Sequence, residues 1–358
     1  MLTRYALLFL SAAVLTAFFT FVVKRLAEKL GVLDCPDGVR KQQAQPVPLL
    51  GGAAIFAAFF ALLYFSRTVV TAGNLDNRHW LGLFVGALIL MFGGYLDDRY
   101  RLSPGRQIIF PVAAALAVII GGVDIEKISN PFGGFIYFDH WQWPLFTWSE
   151  ATVYFTVASD IFIFLWLLGM MYTTKLLDGL DGLVAGLSGI GALLIFLFTL
   201  TAKYYQPDVG WAALILAGCC AGFLVFNWHP AKIFLGEGGS LLGGFLLGVL
   251  AVISGGKIAI ALLVMGLPIL DAAWTIIRRL AAGQNPFRFA DREHLHFRLL
   301  ALGLSVPRSV LVFYSLGLFF GLAGLLMQSV GKLLALSLLL LIMLGAIFGF
   351  HFLKKQNK

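Results

Sequence analysis

The chain has 358 residues, of which 60% are hydrophobic and only 12% charged, and its mean hydropathy is +0.90. An ordinary water-soluble domain, about a quarter charged, is excluded. The net charge is +8, and no nucleic-acid partner is expected.

The apolar stretches reach the roughly 20 residues that a helix needs to cross hydrocarbon. They lack the alternation of a membrane barrel, so an all-α integral membrane protein is expected. Eleven spans are placed at 5–23, 49–66, 80–95, 107–122, 152–171, 183–201, 209–226, 240–254, 257–277, 308–328 and 333–353. Tyr5 to Val23 is too long for a signal-peptide core and lacks a small-residue cleavage site, so it is expected to stay as the first span. Between the fourth and fifth spans, Asn130-Pro131-Phe132-Gly133-Gly134 followed by Phe135 to Phe138 predicts a small hairpin. Trp141, Trp143 and Trp148 beside it suit a membrane interface. Cys35, Cys219 and Cys220 give no disulfide framework. No linker or repeat divides the chain, so residues 1–358 are read as one polytopic domain.

Alternate loops differ in basic residues: 19 of the 26 Lys and Arg fall on one side and 7 on the other. The rich side is expected to be cytoplasmic, with the N-terminus outside and the C-terminus inside. Asp97, Asp98, Asp178, Asp181, Glu237, Asp291, His294 and His296 fall on that same side; only Asp160 and Asp271 lie within spans. A single surface carboxylate is usually just solvated, but a one-sided set in Gly-containing turns points to anionic, phosphate-bearing substrates.

The adjacent Asp97 and Asp98 repel one another, which suggests a cation held at a helix end; salt bridges to Arg99 and Arg101 are the plainer explanation. In Lys175-Leu176-Leu177-Asp178-Gly179-Leu180-Asp181-Gly182, the i,i+3 spacing puts two carboxylates on one side of a helical turn, as a hard cation wants. A capping role could account for only one of them. Phe226 to Ser240, with Gly236-Glu237-Gly238-Gly239, is a Gly-rich turn ahead of a helix that suits a phosphate or a carboxylate, or an ordinary loop with Ser240 as N-cap. The stretch Gly283 to Arg298 offers His294, His296 and arginines to a pyrophosphate, or forms an amphipathic helix on lipid head groups.

Taken together, Gly94 to Pro104, Leu177 to Gly186, Phe226 to Ser240 and Pro268 to Arg298 resemble the motifs of the polyprenyl-phosphate N-acetylhexosamine-1-phosphate transferases, the glycosyltransferase-4 group. Asp34 to Gly52, with Pro46-Val47-Pro48, is similar to that family's first cytoplasmic loop. The resemblance runs from about residue 30 to about residue 300, in the family's order. It implies a bacterial inner-membrane enzyme that transfers N-acetylhexosamine 1-phosphate from a UDP-N-acetylhexosamine, GlcNAc above all, to polyprenyl phosphate among the membrane lipids, releasing UMP. It further implies Asp97, Asp98, Asp178 and Asp181 as catalytic residues, and Mg²⁺, with Mn²⁺ as an alternative, held by Asp178, Asp181 and Glu237. Lys175, Asn227, Arg292, His294, His296, Arg298, Arg40 and Lys41 are the substrate-binding candidates, and a homodimer is compatible with the resemblance.

Departures from the family pattern fall at Tyr172 and Lys175 in place of two Asn, at Glu237 in place of Asp, at Phe297 in place of His, at Leu49 in place of Arg, and at Gln107, where a basic residue is common. Three rivals follow: the phospho-MurNAc-pentapeptide transferase of peptidoglycan synthesis, an inactive scaffold relative, and a secondary transporter. A transporter should place its ligands at the midplane rather than at one face.

Overall fold

The computed structural model describes residues 2–36, 45–73, 75–130, 132–148, 151–201, 205–254, 258–284 and 293–356. In chain order they form α1 (Leu2–Leu30), β1 (Leu33–Asp34), β2 (Val47–Pro48), α2 (Gly51–Phe65), α3 (Arg67–Val70), α4 (Asn77–Tyr100), α5 (Pro104–Gln107), α6 (Ile109–Ile120), β3 (Lys127–Ser129), β4 (Phe135–Tyr137), β5 (Gln142–Trp148), β6 (Ala151–Thr156) and α7 (Val157–Leu177). Then follow α8 (Leu183–Thr199), α9 (Pro207–Asn227), α10 (Gly236–Ile253), α11 (Ile258–Val264), α12 (Gly266–Ala281), α13 (Leu295–Ala301), α14 (Val306–Leu326) and α15 (Ser329–Gln356).

Seven of the described helices are long and apolar enough to cross a membrane, and α11 with α12 make an eighth if the bent pair is one span. The 257–277 span of the sequence reading is thus broken, with a 72° bend. Pro268 sits where its missing N–H and its ring oppose a continuous helix, and Gly266 opens the second half. Shorter apolar helices cover Gly51–Phe65, Pro104–Ile120 and Leu183–Thr199.

The expected hairpin is present: β3 pairs with β4 through Lys127↔Tyr137 and Ser129↔Phe135. A second hairpin, β5 with β6, takes the first residues of the expected 152–171 span, so that helix begins at Val157 instead. Ala151-Thr152-Val153-Tyr154-Phe155-Thr156 is rich in β-branched and aromatic residues, which a pleated ribbon accommodates better than a helix does.

Helix α10 is the hub, touching α2, α4, α7, α8, α9 and α11. Within its most apolar stretch 83% of residues are buried, against 17% for α15, whose sides are left to lipid. Glycines set how closely the hub is approached. A Cβ on Gly52 would land on Gly239, and one on Gly94 on Gly238, so α2 and α4 meet α10 backbone to backbone.

The first loop is sewn to the α9–α10 connection. Gly51 and Gly52 donate to the carbonyls of Phe234 and Leu235 at 2.9 Å, and Phe234 donates to Pro48 at 2.9 Å. Pro46-Val47-Pro48 therefore lies against the Gly-rich turn.

Candidate active site

Helices α4, α7 and α9 end where α8 and α10 begin, so the motifs of the sequence reading meet at one end of the bundle. The hydrogen bonds show how each is held.

Asp97 and Asp98 leave α4 in different directions. Asp97 accepts the Leu102 N–H at 2.7 Å on Oδ1, and the Gln107 amide nitrogen lies 3.0 Å from Oδ1 and 3.1 Å from Oδ2. Asp98 reaches across to α10 and accepts the Glu237 N–H at 3.1 Å and 3.2 Å, a carboxylate on the positive end of a helix. Arg99 does not pair with them. It donates to Leu30 O at 3.1 Å, satisfying the carboxyl end of α1. For Arg99 the plain salt-bridge account of the Asp pair is thereby corrected.

In the next turn Asp181 Oδ2 is bound by His229 Nδ1 at 2.7 Å and by the Ala231 N–H at 3.1 Å. Gly182 takes a left-handed φ of 80°, and its N–H donates to Asn227 Oδ1 at 3.0 Å. The Asn227 amide nitrogen donates to Ile233 O at 2.9 Å, so this buried side chain spends both polar groups bracing the two turns. A substrate contact would fall to its second amide hydrogen, which no described bond engages. Tyr314, which sequence reasoning passed over, closes the turn by donating to Gly182 O at 2.5 Å.

Asp178 terminates α7 and keeps exposed surface. Among the described residues its carboxylate accepts no hydrogen bond. The protein crowded round it and the like charges of Glu237, Asp98 and Asp181 push its pKa well above the usual carboxylate range, so a cation beside it would restore its ionisation. Glu237, the third expected metal ligand, instead forms an ion pair with Lys175. Lys175 also donates to Gln107 Oε1 at 3.0 Å.

The histidine stretch folds over this region. His294 Nδ1 lies 2.8 Å from Asp271 Oδ2, and the Leu295 N–H donates to Asp271 Oδ1 at 3.0 Å. His296 is buried and lies so close over Gly179 that a Cβ there would meet its ring. Burial, with the charge of His294 next, pushes its pKa down to about 3, which keeps the ring neutral. Arg298 donates through Nε to Glu293 O at 2.7 Å, and Glu293 in turn pairs with Arg278 at 2.8 Å. In α13 Leu295 and His296 are buried within the protein, while residues 285–292 of the stretch lie outside the described residues. Arg40, Lys41, Asp291 and Arg292 lie outside the described residues.

Asp271 and His229 are candidates that the sequence reading did not assign. An ionisable residue inside a span is by itself a functional signal, and Asp271 carried it.

No group of three His, Cys, Asp or Glu that could hold a metal occurs among the described residues. Mg²⁺ commonly uses one or two carboxylates plus substrate phosphates and water, so the fit rests on the donors' chemistry. Asp181 fits: its Oδ2 is held from behind, as the carboxylates that bind metals are, and no described hydrogen bond falls on Oδ1. Asp178 fits as an unbridged oxygen donor among like charges. Glu237 has Oε1 in the ion pair with Lys175, while no described contact falls on its Oε2.

A largely apolar cavity of about 120 Å³ has Asp98 in its lining, beside Leu50, Ala53, Met91, Tyr95 and Leu235.

The model of glycosyl transferase family 4 matches residues 80–255. The chain is 31% identical over 347 residues to a probable undecaprenyl-phosphate N-acetylglucosaminyl 1-phosphate transferase of Bacillus subtilis, covering 95% of this chain and 90% of that protein. It is 31% identical over 341 residues to a decaprenyl-phosphate N-acetylglucosaminephosphotransferase of Mycobacterium tuberculosis, covering 87% and 80%. A phospho-N-acetylmuramoyl-pentapeptide-transferase of Thermodesulfovibrio yellowstonii is 30% identical over 349 residues, covering 88% and 91%. With one end of a helical membrane bundle carrying the ordered motifs and relatives matching nearly end to end, the chain belongs to glycosyl transferase family 4, with the polyprenyl-phosphate N-acetylhexosamine-1-phosphate transferases.

Proposed function

We propose that this protein transfers N-acetylglucosamine 1-phosphate from UDP-N-acetylglucosamine to a polyprenyl phosphate, on the cytoplasmic face of the bacterial inner membrane and through a bundle of eleven crossings. The observation that carries the reading is the meeting of Asp97, Asp98, Asp178, Asp181 and Lys175 at one end of the bundle, beside the N-terminus of α10.

A lipid phosphate oxygen forms a bond to the β-phosphorus of the UDP-sugar. The bond from that phosphorus to the bridging oxygen breaks, and UMP departs with the electron pair. Both reactants are anions, so offsetting charge and fixing geometry are the main needs. The Lys175 ammonium supplies one positive charge. Asp178 and Asp181 would hold Mg²⁺, which when bound neutralises charge on the diphosphate. Asp98 lines the apolar cavity, and that lining supports assigning the first units of the lipid to it, with the phosphate toward the carboxylate motifs. A phosphate monoester has a second pKa near 6, so Asp97 or Asp98 needs to accept a proton only from the minority of acceptor that arrives as the monoanion.

The deciding assay supplies membranes with polyprenyl phosphate and separately labelled UDP-sugars. UMP release with a GlcNAc diphosphate lipid is the expected result. A product only from UDP-MurNAc-pentapeptide would move the protein to the peptidoglycan branch, and binding with no UMP would mark an inactive relative.

Orientation has its own test in a native residue. Cys35 is exposed in the loop after α1, whereas Cys219 and Cys220 are buried. An impermeant maleimide should leave intact cells unlabelled and label Cys35 once the membrane is opened. Labelling from outside would place the site on the other face.

A further inference from the structure

Lys175, Glu237 and Gln107 are three separate departures from the family pattern, and the fold joins them. Lys175 leaves the last turn of α7, and Glu237 leaves the first turn of α10; their side chains are 22% and 19% exposed in the ion pair they share. The same ammonium donates to Gln107 Oε1 at 3.0 Å, and the Gln107 amide nitrogen faces both oxygens of Asp97. An ammonium only donates and a carboxylate only accepts, so this glutamine can bridge them in one orientation alone. A chain Glu237–Lys175–Gln107–Asp97 thus crosses four elements: α10, α7, α5 and α4.

We propose that Lys175 is a built-in cation of the transfer site, and that Glu237 and Gln107 are its positioning residues, so that Glu237 serves the ammonium rather than a metal ion. The proposal rests on the reading of the site as one that handles a diphosphate. The described contacts engage two of the ammonium's three donors, which leaves one for a phosphate oxygen. A tethered ammonium is already in place, whereas Mg²⁺ must be recruited and partly dehydrated. Removing Lys175 strips Glu237 of its partner in a crowd of like charges, where the freed carboxylate becomes an added metal donor.

Mn²⁺ binding to the purified full-length protein without nucleotide, followed by the electron paramagnetic resonance of free Mn²⁺, is the test. Glu237→Gln should bind within about twofold of wild type. Lys175→Met should bind at least about tenfold tighter, and adding Glu237→Gln should erase that gain. Where Lys175→Met does not fold, Lys175→Asn takes its place. A tenfold loss in Glu237→Gln alone, or a gain in Lys175→Met that survives the second change, would overturn the proposal. On the substrate side, Lys175→Met and Glu237→Gln should each raise the KM for UDP-sugar at least about tenfold, with the double variant no worse and Lys175→Arg partly restored. Unchanged KM values would equally overturn it. Should the wild type release no UMP from any UDP-sugar, the transfer reading fails, while the Mn²⁺ cycle still decides what Glu237 holds.

Discussion

Asp181→Asn, Asp97→Asn and Asp98→Asn each lower the turnover of UMP release at least about a hundredfold, by removing a charge from a site that must organise cations around a diphosphate. The three should differ in kind. In Asp181→Asn the remaining amide oxygen can still accept from His229 and Ala231, so this variant should express and melt like wild type while losing turnover. In Asp98→Asn the amide oxygen can still accept the Glu237 N–H, but no charge is offered to the positive end of α10. Asp97→Asn is worse placed, because both oxygens of Asp97 face the Gln107 amide nitrogen and the new amide brings an NH₂ against an NH₂. If Gln107 turns over to escape, its own NH₂ faces the Lys175 ammonium. That variant should therefore raise the KM for UDP-sugar as well as lower turnover. Near-normal rates in all three, with intact expression, would remove the aspartates from the chemistry.

How much of this was legible without coordinates follows from the range of each interaction. Membrane class and the hairpin around Asn130 depend on composition and local pattern, and the structure has the apolar helices and the hairpin, with the described motif acids at one end of the bundle. Partners depend on helix register. Nothing near Lys175 announces that its ammonium meets a carboxylate at 237 and an amide at 107, because that needs α7, α10 and α5 in their folded places. His294 and Asp271 are paired for the same reason. Proximity in sequence also misled. Arg99 adjoins Asp98, yet consecutive side chains on a helix diverge, and it points instead to the end of α1. Asn227 looked like a polar group for substrate beside a Gly-rich turn, but such turns leave backbone groups that need partners, and it serves those. The strand over 151–156 was hidden because an apolar run of that length reads equally as strand or helix.

Gly94→Ala, the addition of one methyl group, should cost as much activity as losing a catalytic charge. On propensity alone it ought to help, since Ala in a helix interior is favoured over Gly by about 1 kcal/mol. Packing decides otherwise. A Cβ at Gly94 falls on the nitrogen and Cα of Gly238, backbone atoms with no side chain to swing aside. Only a separation of α4 from α10, by roughly 1 Å, relieves the overlap, and overpacking of this kind costs about 1–3 kcal/mol. Asp98 lies one turn beyond Gly94 on the same helix, and its bond to the Glu237 N–H crosses this contact at 3.1 Å. Separation therefore stretches the link that aligns the aspartate motif with the Gly-rich turn, and a misplacement of about 1 Å can cost about a hundredfold in rate. Gly94→Ala should accordingly lose about a hundredfold in UMP release with a lowered melting temperature. Gly105→Ala is the control, because a Cβ at Gly105 meets nothing within 4 Å. Wild-type activity in Gly94→Ala would show that α4 and α10 do not meet backbone to backbone, and that Asp98 is not held at the head of α10.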